Sequence, residues 1–327
     1  MYVRIGFDLQ YNIPAETPML LMLHAHPERL AFLRRPDRVI VEPAPTMCET
    51  FIDAFGNRAT RILAPAGRLR LTYDNVAVDS GLPEPTIQGA RLHPVQDLPT
   101  ECLPYLMSSR YCEVDVMSQM AWDLFGKTPA TWERVQAVMD WVHARVQFGY
   151  QYASPTKTAK MVCDDGTGVC RDFQHVAITL LRALNVPARY ATGYLGDIGV
   201  PANPSPMDFS AWFEVYLGSG WYTLDARHHK PRIARVLMAR GRDATDVALT
   251  TSFGVAVLEK FLVWTDEVSA ETVAQMEGQA PLPGSSRRSG QPYTTHTGER
   301  QHRTPAVEVT VNPAVLPSRP SNVRAGV

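Results

Sequence analysis

Gly166-Thr167-Gly168-Val169-Cys170-Arg171-Asp172 frames a cysteine with glycines and opens a strongly patterned stretch. Apolar residues follow at Phe173, Val176, Ala177, Leu180, Leu181 and Leu184. That i, i+3, i+4, i+7 spacing predicts a helix with one buried face. Cys170 then occupies the first turn, where unpaired N–H groups and the positive end of the helix dipole favour a thiolate. Gly166 and Gly168 allow the sharp backbone turn that precedes it. The chemistry implied is nucleophilic attack by sulfur; the competing reading is one more small buried cysteine.

A thiol nucleophile needs a base, and the base needs an orienting acceptor. Asp208-Phe209-Ser210-Ala211-Trp212-Phe213-Glu214-Val215-Tyr216-Leu217 and Trp221-Tyr222-Thr223-Leu224-Asp225 read as strands joined by a Gly218-Ser219-Gly220 hairpin, with His228 and His229 just beyond. If the second strand ran on with period two, Asp225, Arg227 and His229 would share a face and His228 would point away. A turn near Lys230-Pro231 would break that alternation. Either imidazole is therefore a substitute-base candidate, set against a solvent-facing pair. His175 lies about 140° round the helix from Cys170, a direction that suits a packed or hydrogen-bonded histidine.

The elements that must hold these residues fall into three segments: 1–100, 101–268 and 269–327. The first reads as strands and turns, with at most a short turn at Glu28–Arg34, and predicts a β-sandwich-like domain. Pro83, Pro85, Pro94 and Pro99 mark a linker. Helical periodicity then covers Tyr111–Phe125 and Thr131–Val146, with Thr131 as cap. The Cys170 helix and strands Ala188–Tyr194, Ala211–Leu217 and Trp221–Asp225 complete an α+β plan of helical layer plus antiparallel sheet. From residue 269 Pro, Ser, Thr and Arg dominate, and a disordered tail is expected.

These strands and this helix, in this order, resemble the transglutaminase-like superfamily, and within it the bacterial cysteine-peptidase branch with an N-terminal β domain. The likeness rests on Gly168-Val169-Cys170-Arg171-Asp172-Phe173, Ser210-Ala211-Trp212 and the strand ending at Asp225, and runs from residue 1 to about 268. It implies a papain-like core that attacks peptide or glutamine amides through an acyl-enzyme. By the resemblance Cys170 is the nucleophile position, Asp225 orients the base, and Trp212 packs beside the site as a substrate-binding residue. The family pattern has His-Ala-Trp where this chain has Ser210-Ala211-Trp212. A hydroxyl does not titrate near neutrality, so Ser210 removes a general acid/base contribution of about 10²- to 10⁴-fold. Two functions stay open: a cysteine peptidase or acyltransferase, and a pseudoenzyme of the same fold that binds peptide or protein.

Composition narrows the rest. The 327 residues are 45% hydrophobic and 20% charged with net charge −1, an ordinary globular balance giving no field that recommends nucleic acid or an anionic membrane. No apolar run reaches membrane-span length, and Met1–Leu9 alternates like a strand where a signal peptide would carry an apolar block, so a cytoplasmic protein is expected. Five scattered cysteines without a C-x-x-C pair fit reduced thiols, although Cys163 and Cys170 are close enough in sequence to pair on oxidation. His24 and His26 read as one strand face, but two ligands make no metal site. Acyl chemistry implies no metal or organic cofactor, because a thiolate and backbone N–H groups suffice. Gly193, Gly196 and Gly199 lack the setting of a phosphate loop. Gly241–Asp246 is expected to help shape the cleft or to serve as an ion-paired loop.

Overall fold

Alternation of apolar and polar residues shapes the strands among the first 78 positions, beginning with one that buries Val3, Ile5, Phe7 and Leu9. The structure, a computed structural model, describes residues 1–85, 89–203, 206–218 and 220–278. Strands β1 (Tyr2–Ile13), β2 (Thr17–Leu21), β3 (Ile40–Glu42), β4 (Cys48–Ile52), β5 (Arg58–Ala64) and β6 (Gly67–Val78) come first. Helices α1 (Val114–Phe125) and α2 (Trp132–Arg145) follow, then β7 (Gln147–Phe148), α3 (Ala159–Asp165), β8 (Thr167–Gly168) and α4 (Cys170–Ala183). The chain continues through β9 (Ala188–Tyr194), β10 (Ser210–Leu217), β11 (Gly220–Leu224), β12 (Val236–Gly241), β13 (Thr250–Ser252), β14 (Val257–Val268) and α5 (Ala270–Glu277). The turn read at Glu28–Arg34 is a 3₁₀ helix at Pro27–Phe32, and Thr131 caps α2 by accepting from the Glu133 N–H.

Two four-stranded antiparallel sheets, β14-β1-β6-β3 and β13-β2-β5-β4, enclose one core. A third, β11-β10-β9-β12, carries α4 on one face, with α1, α2 and α3 packed around that helix. Its other face sends Tyr194, Val236 and Met238 into the core of the first two sheets. The chain is thus helices on a sheet on a sandwich, an α+β protein. Residues 250–268, read from the sequence as the end of the second segment, hydrogen-bond instead to strands of the first. β14 pairs with β1 from Tyr2↔Val268 to Asn12↔Val257, and β13 pairs with β2. The segment expected to be a tail opens as α5, capped by Ser269 and tied down by an Arg34–Glu277 ion pair at 2.7 Å. Its remainder from residue 279, including the expected disorder, lies outside the described residues. Among the described residues no helix is long and apolar enough to cross a membrane.

Helix α4 departs from the one-face expectation. All residues from Arg171 to Ala183 are buried, polar ones included. Each polar side chain stays inside because it finds a partner: Arg171 pairs with Asp172, Thr179 donates to the His175 carbonyl, and Arg182 donates to the carbonyls of Ala188 and Arg242. The apolar spacing found the helix, and its partnered polar side chains let it sit at the centre of the domain, although His175 Nδ1 has no partner among the described residues.

Candidate active site

Cys170 owes its position to the turn between α3 and α4. Gly166 ends α3 at φ +68, a left-handed conformation that costs any other residue. Gly168 is required by crowding, since a Cβ there would stand 2.7 Å from the Asp172 Cβ. The short parallel pair β7–β8 fixes this approach. Asp172 then caps the helix, its Oδ2 accepting the Val169 N–H at 2.9 Å.

The thiol that results is not the one expected from its place in the helix. Burial pushes Cys170 up to about 11; the Asp208 and Asp172 carboxylates push the same way, against the Arg227 guanidinium and a hydrogen bond from the Arg171 backbone. A helix terminus offers roughly 0.3–1 kcal/mol to an anion, whereas a rise of this size corresponds to about 3 kcal/mol. Desolvation wins.

Cys170 opens onto a cavity of about 100 Å³ that is also lined by Tyr150, Tyr190, Asp208, Ser210 and Phe261. Burial raises the Asp208 carboxyl to about 6, opposed by the Phe209 N–H and by Arg227. Ser210 begins β10 opposite Gly193, and its carbonyl accepts from Thr192 Oγ1 at 3.1 Å. Arg227 lies over the Phe148 ring at 3.8 Å. Among the described residues, no hydrogen bond links the Cys170 sulfur to an imidazole.

Asp225, one residue past β11, is buried and fully engaged. Its Oδ1 accepts from Gln174 Nε2 at 3.0 Å and from the N–H groups of Arg227 and His228. Its Oδ2 accepts from His228 Nδ1 at 2.7 Å and Arg235 Nη2 at 2.9 Å. Burial works to raise this carboxyl, but the His228 hydrogen bond and the Arg235 charge prevail and hold it well below the usual carboxylate range. The same carboxylate turns the chain, which ends strand alternation at Leu224 and brings His228, not His229, to Asp225. His229 adopts φ +54, pairs with Asp140 at 3.0 Å and stacks on His143 with ring centroids 4.8 Å apart.

The remaining expectations sort cleanly. His175 is packed: its Nε2 accepts from the Ala244 N–H at 3.1 Å, its ring stacks on Tyr111, and burial holds it neutral. Trp212 does not line the Cys170 cavity. It is 2% exposed in a small cluster with Ala191 and Leu237, under the Arg235 guanidinium. β2 ends at Leu21, so His24 and His26 share no strand face; His24 bridges Asp37 and Thr60, and His26 caps the Pro27–Phe32 turn. The Gly241–Asp246 loop contributes Ala244 to the cavity wall and ion-pairs Arg242 with Asp246. Among the described residues no group of three or more His, Cys, Asp or Glu is placed to hold a metal ion.

Three residues at this site escaped the sequence reading. Gln174 sits one helical turn beyond Cys170 and ties α4 to Asp225 and to the Ala226 N–H; its i+4 spacing from the cysteine was the available signal. Asp208, two residues before the base position, was visible as a carboxylate at a strand's start. Arg235 arrives from a loop, and no local pattern marks it.

With this geometry in place, the comparisons with known proteins are specific. Residues 119–226 match the family model of the transglutaminase-like superfamily. An uncharacterized protein of Mycobacterium leprae is 24% identical over 219 residues, covering 65% of this chain and 77% of its own. One from Mycobacterium tuberculosis is 26% identical over 235 residues, covering 64% and 73%. The crystal structure of a candidate cysteine protease from Cytophaga hutchinsonii superposes with a TM-score of 0.70 at 30% identity, over 83% of this chain and 91% of that one. Family model, shared architecture and the Cys170 helix agree: the chain belongs to the transglutaminase-like superfamily.

Proposed function

We propose that the Cys170 cavity receives a carboxamide or peptide bond of a peptide or protein partner, and that the chain holds it without rapid acyl transfer. The observation that carries this reading is the sulfur's surroundings. Its ionisable neighbours include Arg227, Asp208, Asp172, Tyr150 and Tyr190, and among the described residues no imidazole is hydrogen-bonded to it. A thiol near 11 is ionised in about one molecule in ten thousand at pH 7. His228 gives its Nδ1 proton to Asp225, as an oriented base would, but it does not line the Cys170 cavity, and among the described residues no hydrogen bond joins it to the sulfur.

A second reading, slow peptidase or acyltransferase turnover, is favoured by Asp208. Its carboxyl titrates near 6 in the same cavity, the range suited to a general base at neutral pH. The thiol proton would pass to Asp208 as sulfur bonds to the carbonyl carbon. The amine would then depart with that proton, leaving a thioester for water or another amine to cleave.

One experiment separates the readings. A glutamine-containing peptide is titrated by fluorescence while amine release is followed by mass spectrometry. Saturable binding without release is expected. Release that vanishes in Cys170→Ala and falls in Asp208→Asn would replace the first reading with the second.

A further inference from the structure

Behind β10, on the Trp212 side, lies a second cavity of about 230 Å³. Four guanidiniums line it: Arg29 from the 3₁₀ turn of the first domain, and Arg232, Arg235 and Arg240 from the second. Three of them carry buried N–H groups with no hydrogen-bond partner among the described residues: Nε and Nη2 of Arg29, Nε of Arg232 and Nη1 of Arg235. Buried donors are almost always paired, and one left bare costs about 1–3 kcal/mol. Four such donors on three side chains that line one cavity call for an acceptor.

The carboxylates of the cavity do not supply it. Glu28 and Glu214 are taken by Arg240, and Glu214 also by Arg189. Glu84 pairs with Arg235 Nε and accepts the Arg232 N–H. Asp79 approaches Arg29 only to 3.9 Å and accepts from the Gly81 N–H. Arg232 donates its Nη2 to the Gly196 carbonyl at 2.7 Å and forms no ion pair with a carboxylate among the described residues. The bare edge of Arg29 is the Nε–Nη2 edge, whose two parallel N–H groups match two oxygens of one anion.

We propose that this cleft between the domains is a binding site for a phosphate-type oxyanion, gripped by the Nε–Nη2 edge of Arg29 and by the free N–H groups of Arg232 and Arg235. The anion is inorganic phosphate or a small phosphomonoester, which share this chemistry. Arg235 also holds Asp225 through Nη2 and lies 4.9 Å over the Trp212 ring, so occupancy is reported by a fluorophore in the cavity wall.

The test titrates phosphate into the full chain at constant ionic strength, following tryptophan emission and melting temperature, with Trp212→Phe identifying the local signal. A saturable emission change and a raised melting temperature are expected, and Arg29→Gln weakens binding by at least about tenfold. Glycerol phosphate in a parallel arm distinguishes a phosphomonoester site, which binds both, from one that admits only the free ion. A flat titration in the wild-type chain overturns the proposal. So does an unchanged affinity in Arg29→Gln, a variant chosen because Arg29 is less buried than Arg232 and its loss is easier for the fold to bear.

Discussion

Asp225 and Cys170 lie on either side of Gln174, and their surroundings are opposite. The carboxylate accepts from five donors: Gln174 Nε2, Arg235 Nη2, His228 Nδ1 and the N–H groups of Arg227 and His228. The thiol faces a cavity with carboxylates nearby and, among the described residues, no imidazole bonded to it. The carboxylate that the family resemblance assigns to orienting a base is therefore fully engaged, while the sulfur has no imidazole bonded to it among the described residues. Architecture and activation are separable: helix start, sheet and acceptor can all be in place while the proton has no efficient route off the sulfur.

The largest expected effect restores that route. Ser210→His places an imidazole at the start of β10, beside the Ala211 carbonyl that Gln174 binds together with Asp225. Acyl transfer from an activated ester should rise by about 10²- to 10⁴-fold, the worth of a positioned general base. If a folded variant shows no gain, the sulfur and residue 210 are not arranged as the family resemblance implies.

Breaking the carboxylate's contacts should cost stability. Asp225→Ala leaves Arg235 and His228 without their shared acceptor and frees two backbone N–H groups. A loss of about 3–5 kcal/mol in urea unfolding is expected, with Asp225→Asn losing less. The pH dependence has a definite sign. A carboxyl held below its usual range contributes stability above the unfolded value and loses it as pH falls, so wild-type stability should drop below about pH 4 and the Asn variant should drop less. The contrast between Asp225 and Cys170 fails if Asp225→Ala is as stable as wild type.

A third measurement reads the thiol itself. Iodoacetamide labelling of Cys170 should show a midpoint near 11. At pH 7 that makes labelling a few hundredfold slower than a free cysteine with pKa about 8.5. Rapid labelling at pH 6, lost in Cys170→Ala, would show a thiolate that the cavity and its Asp208 carboxylate do not explain.

How much of this was legible beforehand depends on whether the deciding force was local. The α4 start, the Ala188–Tyr194 strand and the Thr131 cap follow from spacing and capping chemistry within a few residues, and they stand where spacing put them. The pairing of β14 with β1 joins residues about 250 positions apart, and no window of sequence carries it. Asp225 was expected to face the site as the last residue of a running strand. The alternation fails there because its own carboxylate captures the next N–H groups, which is a side-chain effect and not a strand effect. The rise of the Cys170 thiol has a related cause. Helix position is readable from sequence, but the burial that outweighs it is set by β9, β10 and the 244–249 loop arriving from elsewhere.

The smallest effect concerns Asp208, which lines the Cys170 cavity and sharpens the description of the thiol. Burial raises its carboxyl to about 6, so between about pH 4 and 6 the folded chain keeps a proton that the unfolded chain has released. Such a group contributes stability below the unfolded value and loses it as pH rises through 6, the reverse of Asp225. Asp208→Asn should therefore remove that decline and leave the variant more stable than wild type at pH 7. The gain is about 1–2 kcal/mol, because Asp208 keeps some contact with water through the cavity. The same substitution deletes a negative charge that raises Cys170, so its labelling midpoint should fall as well. A variant with improved stability at pH 7 and an unmoved thiol would place Asp208 out of electrostatic reach of the sulfur, and with it would go the case for Asp208 as the base of a slow enzyme.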